Sequence, residues 1–123
     1  MNATTLRIGN YHYYHMVDKL DDRKEWDEIC TIDAEDLVWL SSEKGKKDTD
    51  YKPIPLTEEW LLEFGFEKHS SNPFWFRKKQ LCISVLGAIE LISWDMNVFK
   101  IDTKAEHVHT LQNLYFALTG EEL

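Results

Sequence analysis

The chain has 123 residues, of which 43% are hydrophobic and 13% aromatic, enough to bury a core without disulfide or metal support. Its 14 basic and 22 acidic residues give a net charge of −8 at pH 7, which disfavours naked nucleic acid as a partner because phosphate binding requires clustered Lys and Arg. No apolar run is long enough to span a bilayer and residues 1–5 lack the features of a signal peptide, so we expect one cytoplasmic domain over residues 1–123 and no membrane partner.

Three segments in the first third of the chain have the composition of strands. Residues 6–16 are aromatic and partly alternating, which predicts a strand with a bulge or turn near Gly9 and Asn10. The apolar residues at 26, 29 and 32, followed by the run 37–40, predict two further strands separated by a turn at residues 33–36. Residues 41–51 show no apolar periodicity, so we expect a mobile surface loop there.

Residues 53–66 predict a short central helix with a recognisable start and stop. Thr57 can cap its first amides, two glutamates follow at the positive end of the helix dipole, and Gly65 ends it. If Gly65 takes the left-handed conformation, Phe66 can contact Leu61 in a Schellman ending. The face turned toward the core is expected to comprise Trp60, Leu61 and Phe64.

The second half of the chain is predicted to form a meander closed by a helix. Residues 74–77, 81–86, 89–94 and 98–101 are strand-like and separated by short turns, which favours antiparallel neighbours because parallel ones need long crossovers. Apolar residues at 108, 111, 115 and 118, widened by Leu114, predict a helix over residues 105–118 that ends at Gly120. We therefore expect an α+β fold in which the C-terminal helix packs on the apolar face of an antiparallel sheet.

The residue types that carry catalysis or bind cofactors do not occur in a recognisable pattern. The pairs His12 and His15, and His107 and His109, point apart on a strand and on a helix, so neither spacing predicts a metal chelate. There is no glycine-rich phosphate loop and no serine in a nucleophile elbow. Two isolated cysteines in apolar surroundings predict buried free thiols. We expect no enzymatic activity, no catalytic or metal-binding residues and no cofactor.

Acidic residues are concentrated near the N-terminal third of the chain. Residues 18–36 carry nine carboxylates against three basic side chains. Such a stretch can solubilise the protein, or it can attract and orient a basic protein partner. The candidate partner-binding residues are Asp18, Asp21, Asp22, Glu25, Asp27 and Glu28.

One cluster, residues 74–79, combines aromatic and basic side chains. Aromatic rings can stack on bases while cations bind phosphates, so the alternative site is a nucleic-acid contact at the end of this cluster. A structural explanation competes with it, because alternation would bury Phe74 and Phe76 in the sheet and leave Lys78 and Lys79 at a hairpin tip. The candidate contact residues are Trp75, Arg77, Lys78 and Lys79.

Three blocks of the sequence resemble a known family. LRIGNY at residues 6–11, PIPLTEEWLLEFGF at 53–66 and HVHTLQNLYFALTGEEL at 107–123 are similar to signature blocks of a family of small uncharacterised proteins of bacteroidetal genomes, phages and mobile elements, and cover about a third of the chain. The resemblance implies a phage or mobile-element origin and a small barrel-like N-terminal half, followed by a sheet and a C-terminal helix. It transfers no catalytic residues, and the acidic stretch between residues 18 and 50 departs from the family pattern.

These observations favour a non-enzymatic binding protein that engages a basic, nucleic-acid-handling host protein. Because inhibitors of RNA-guided CRISPR effectors are often small, acidic and phage-encoded, we expect an anti-defence role of the anti-CRISPR type. The alternative is a nucleic-acid-associated accessory module of the mobile element that uses residues 77–79.

Overall fold

A computed structural model describes residues 1–21, 23–79, 81–85, 90–94, 103–104 and 106–123. These residues form strands and helices in an α+β arrangement with two antiparallel sheets, so the predicted fold class is confirmed. The chain divides into two compact units. One unit comprises Met1–Ile54 and Val108–Leu114, and the other comprises Pro55–His107 and Tyr115–Leu123.

The first unit contains a three-stranded antiparallel sheet. Its strands are β1 (Tyr11–Val17), β2 (Glu25–Thr31) and β3 (Tyr51–Lys52), in the order β2-β1-β3. Gly9, with a φ of 94°, lies in the turn that precedes β1, so the predicted irregularity near residues 9 and 10 comes before the strand rather than within it. The sheet is open, with β2 and β3 at its edges, and the expected barrel-like N-terminal half is therefore wrong.

Residues 37–40 are helical, which corrects the prediction of a strand. They belong to α1 (Ala34–Ser41), whose N-cap is Asp33. The Asp33 carboxylate accepts a hydrogen bond from the Asp36 amide at 2.8 Å, and the Asp36 carboxylate accepts one from the Asp33 amide at 2.9 Å. Asp33 and Asp36, which the sequence pattern assigned to a turn, thus form a reciprocal capping box at the start of a helix. A four-residue apolar run does not by itself distinguish a helix from a strand.

The segment that follows α1 folds back on the helix instead of forming a simple loop. Gly45–Lys47 form a 310 turn, and the amide of Gly45 donates to the Ser42 hydroxyl. The indole Nε1 of Trp39 donates to the Asp48 carboxylate at 2.8 Å. These bonds hold the segment against the C-terminal end of α1.

The second unit contains the predicted antiparallel meander. Its strands, in their order in the sheet, are β4 (Glu67–Lys68), β5 (Trp75–Lys78), β6 (Leu81–Ser84), β7 (Glu90–Trp94) and β8 (Thr103–Lys104), and consecutive strands pair antiparallel. The strand predicted at residues 98–101 lies outside the described residues, and the two-residue strands β4 and β8 were not predicted.

The central helix α2 (Glu58–Glu63) begins and ends as its sequence predicts. The Thr57 side chain accepts a hydrogen bond from the Trp60 amide. Gly65 has a φ of 86°, and the Phe66 amide donates to the Leu61 carbonyl at 2.9 Å, which is the hydrogen bond of a Schellman ending. Of the face predicted to turn inward, Leu61 and Phe64 are buried and Trp60 is half-buried.

The C-terminal helix α3 (Val108–Thr119) ends at Gly120, whose φ is 73° and whose amide donates to the Phe116 carbonyl. The predicted stripe is buried at residues 108, 111 and 115 and half-buried at 114 and 118. The sequence predicted that this helix packs on the meander, but α3 is divided between the two units: Val108–Leu114 belong to the first and Tyr115–Leu123 to the second. In its first half, the buried Gln112 side chain accepts from the Tyr11 amide at 2.9 Å, and this contact lies in the first unit.

Candidate functional site

Strand β2 is exposed on both of its faces. Every residue of the strand is exposed except Cys30, which is half-buried. Trp26 retains 43% and Ile29 retains 55% of their accessible surface. A strand of an antiparallel sheet normally has one face packed against the core and one face in solvent. Because β2 buries neither, its side chains contribute little to packing and are available to a partner.

The hydrogen bonds at both ends of the β1–β2 pair determine which backbone groups of β2 face outward. The Asp18 amide donates to the Lys24 carbonyl at 2.9 Å, and the Ile32 amide donates to the Asn10 carbonyl at 2.8 Å. In an antiparallel pair, hydrogen-bonded positions alternate with non-bonded ones. The register of the pair therefore directs the even-numbered groups of β2 toward β1. The amides and carbonyls that point to the free edge are those of Glu25, Asp27, Ile29 and Thr31.

Two of the predicted partner-binding residues stabilise the turn that joins β1 to β2. The Asp18 carboxylate accepts from the Leu20 amide at 2.8 Å, and the Asp21 carboxylate accepts from the Arg23 amide at 3.1 Å. Short polar side chains commonly bond to the backbone two residues ahead in turns. Asp18 and Asp21 thus hold the turn in shape, while Asp22 lies outside the described residues.

Glu25 and Asp27 lie on one face of β2, beside β1 and β3. The His15 ring places Nδ1 at 2.9 Å from Asp27 Oδ1 and Nε2 at 3.3 Å from Glu25 Oε2, and Lys52 Nζ lies 3.3 Å from Asp27 Oδ1. The hydrogen bond to Asp27 is the main reason that the pKa of His15 is raised, and the same bond lowers the pKa of Asp27. Asp27 is therefore partly neutralised, while Glu25 remains the more exposed carboxylate, at 63%.

Glu28 lies on the opposite face of β2, next to Trp26. The indole Nε1 of Trp26 donates to Glu28 Oε1 at 3.1 Å, and both side chains are exposed. The sequence shows these acidic candidates only as one continuous stretch of negative charge. The structure separates them into a turn pair and two opposite faces of a single exposed strand.

A second cluster of polar and aromatic side chains lies in the first unit. The His12 ring stacks on Tyr51 with centroids 5.1 Å apart, and the Tyr51 hydroxyl donates to Asp36 Oδ1 at 2.6 Å. Burial, together with this hydrogen bond, raises the pKa of Tyr51. Burial by itself would raise the pKa of Asp36, but the bonds from Tyr51 and from the Asp33 backbone outweigh it and lower that pKa. The cluster joins β1, β3 and α1 and has a structural role.

Protonation of His12 is expected to destabilise the protein in mildly acidic solution. His12 is 2% exposed and its Nδ1 has no hydrogen-bond partner among the described residues, and burial lowers its pKa although Asp36 and Asp33 oppose this effect. Because the unfolded chain binds the proton more readily, stability should fall as the pH drops below about 6.5. The variant His12→Phe, which keeps the ring on Tyr51, should lose this part of the decline.

Denaturant unfolding at a series of pH values between about 7 and 5 measures this dependence. His15 has the opposite sign, because its raised pKa makes its contribution grow as the pH falls. The variant His15→Phe should consequently steepen the decline. Identical pH profiles for the wild type and His12→Phe would contradict the assignment to His12.

The cations of the alternative nucleic-acid site are engaged within the second unit. Lys78 Nζ donates to the Phe64 carbonyl at 2.6 Å and lies 5.3 Å from the centre of the Tyr115 ring. Lys79 forms an ion pair with Glu121, and the Arg77 Nε donates to the Lys79 carbonyl at 2.9 Å. Trp75 remains 38% exposed. These contacts give the hairpin tip a structural role, as the competing explanation predicted. Phe76 is buried as that explanation expected, but Phe74 is 45% exposed.

The cysteines and the acidic side chains offer little to a metal ion. Neither Cys30 nor Cys82 forms a disulfide, as predicted, but both are half-buried rather than buried. Within the described ranges, no three His, Cys, Asp or Glu side chains are grouped so that they could hold a metal ion. No helix in those ranges has the length and apolar character to cross a membrane.

Comparison with known proteins gives no relative from which a role could be transferred. No protein-family model, no curated protein and no solved structure matches the chain. The geometry of β2 is therefore the basis on which a function can be proposed.

Proposed function

We propose that this protein is a non-enzymatic binding protein that engages a basic protein partner through the exposed strand β2. The observation that carries this proposal is the exposure of both faces of β2, where carboxylates flank Trp26 and Ile29. Aromatic and aliphatic side chains supply binding energy at interfaces, and surrounding charges supply orientation and selectivity. A stretch that served only for solubility would not need exposed apolar side chains among its carboxylates.

The partner class follows from charge. A net charge of −8, with much of the negative charge in residues 18–36, attracts a basic surface and repels acidic ones. Proteins that handle nucleic acids present such basic surfaces. An anti-defence role in a phage or mobile element, with an RNA-guided CRISPR effector as the partner, is the specific form of this proposal that we favour, on grounds of size and charge.

Reversal of two exposed charges on β2 is expected to reduce partner capture by at least about tenfold, because electrostatic steering changes association rates by about 10-fold to 1,000-fold. The test variant is Glu25→Lys/Glu28→Lys, which alters both faces of the strand and leaves the turn residues intact. The matched control, Glu63→Lys/Glu106→Lys, makes the same charge change at exposed positions of the second unit. Exposed charges contribute little to stability, so both variants should melt as the wild type does.

The measurement is capture of proteins from a nuclease-treated host lysate, followed by the same assay with a purified RNA-guided effector. Capture should weaken between 0.1 M and 1 M salt, as the Debye length falls from about 10 Å to about 3 Å. Equal capture by the two charge variants would contradict the proposal. Capture that disappears after nuclease treatment would instead support the nucleic-acid accessory role.

A further inference from the structure

We propose that the partner binds by strand addition, in which an extended basic segment pairs with the free edge of β2 as a fourth strand of the N-terminal sheet. This inference rests on the proposed function and specifies how the same strand would recognise its partner. Strand addition combines backbone hydrogen bonds, which give affinity, with contacts to alternate side chains, which give selectivity.

The free edge of β2 differs from every other sheet edge among the described residues. The edges formed by β3, β4 and β8 are two residues long, whereas β2 is seven residues long. Very short edge strands are a common protection against unwanted pairing. Of these four edges, only β2 presents a ladder long enough for another strand, and its outward-facing backbone groups are those of residues 25, 27, 29 and 31.

The side chains along this edge indicate the chemistry of the added strand. Residues that share the outward backbone direction also share one face of the sheet, so Glu25, Asp27 and Ile29 follow one another on that face. Directly opposite residues on paired strands interact most strongly when their charges are opposite or when both are apolar. The complementary segment therefore has two basic residues and one apolar residue at alternate positions.

The same charges disfavour a second copy of this chain as the occupant. Pairing of two β2 edges would bring two sets of the carboxylates of Glu25, Asp27 and Glu28 to one junction, and each chain carries a net charge of −8. Like charges on paired strands are destabilising. A basic segment of another protein can form hydrogen bonds with the free backbone groups of β2 and place opposite charges beside its carboxylates.

Binding of a labelled basic peptide tests this mode directly. The probe is a fluorescein-labelled nine-residue peptide, measured at 0.1 M salt, that carries lysine, lysine and valine at three successive alternate positions and threonine at the other positions. Two further peptides carry N-methyl groups on one or the other set of alternate amides. An added strand presents only one set to β2, so one methylated peptide should bind about tenfold or more weakly while the other should bind as the parent does. Equal effects of the two methylations, or no binding of the parent peptide, would overturn strand addition.

A backbone variant of the protein provides the complementary test. Ile29→Pro removes an outward-facing amide without changing charge, and an edge strand tolerates proline where its amide faces solvent. The matched control Ile29→Ala removes most of the side chain but keeps the amide. The proline variant should bind the peptide about tenfold more weakly than the alanine variant, with melting curves confirming that both are folded.

Hydrogen exchange on the unmodified protein keeps the inference testable if the proline variant does not fold. Saturation with the parent peptide should slow exchange of the Asp27 and Ile29 amides, while the Trp26 and Glu28 amides, already paired with β1, should change little. Unchanged exchange at Asp27 and Ile29 in the bound state would contradict strand addition. If charge reversal reduces binding but N-methylation and Ile29→Pro do not, the proposed function survives and strand addition fails. If charge reversal has no effect on lysate capture, the proposed function itself fails.

Discussion

Replacement of Leu111 by alanine is expected to lower the free energy of unfolding by roughly 2–5 kcal/mol, because a fully buried leucine loses its transfer energy and leaves a cavity. Leu111 is 0% exposed and lies in the middle of the buried stripe of α3. Denaturant unfolding measures the change. The control Phe116→Ala truncates a side chain of the same helix that is 38% exposed, so its effect should be clearly smaller.

This pair of variants also distinguishes core from docking surface on α3. Because Leu114 is half-buried, the loss of unfolding free energy in Leu114→Ala should lie between the losses in Leu111→Ala and Phe116→Ala. A buried leucine is expected to cost roughly 2–5 kcal/mol when it is replaced by alanine. If Leu111→Ala lowered the free energy of unfolding by less than about 0.5 kcal/mol, the stripe would have to be interpreted as a docking surface for a partner.

Replacement of Gly45 by alanine is expected to destabilise the protein by at least about 3 kcal/mol, the upper end of the range for overpacking. A Cβ atom at Gly45 would collide with the Trp39 carbonyl, since its carbon lies 2.5 Å away and belongs to the backbone of α1. A flexible side chain could move aside, but a helix carbonyl cannot do so without displacing the 310 turn or the end of the helix.

The matched control is Gly9→Ala. Gly9 has a φ of 94°, and apart from its two chain neighbours no described residue has a heavy atom within 4 Å of a Cβ atom added there, so only a backbone strain of about 1–2 kcal/mol should be seen. Thermal and denaturant unfolding of the two variants would separate collision from strain. A Gly45→Ala protein as stable as Gly9→Ala would show that the segment after α1 is not held against the helix.

Both ends of α2 and the C-terminal end of α3 were predictable because their signals act over a few residues, whereas α3 begins at Val108 rather than near residue 105. The Thr57 side chain accepts a hydrogen bond from the Trp60 amide only three residues along the chain, so this cap depends on local sequence alone. Gly65 and Gly120 take a left-handed conformation that most residues avoid. The antiparallel meander was predictable for a similar reason, since its short turns exclude parallel connections. The error at α1 arose because the carboxylates of Asp33 and Asp36 are equally typical of a turn and of a capping box.

The sequence by itself determined the α+β class, the two helix endings and the concentration of negative charge, all of which depend on neighbours in the chain or on composition. Only the tertiary structure decided which strand became the free edge, because strand order depends on pairings between distant residues such as Tyr13 with Lys52. The tertiary structure also decided that Lys78 donates a hydrogen bond to the Phe64 carbonyl and that the buried Gln112 side chain accepts one from the Tyr11 amide. A polar side chain carries no local sign of the distant backbone group that it will satisfy, and the exposure of β2 likewise followed only from the fold.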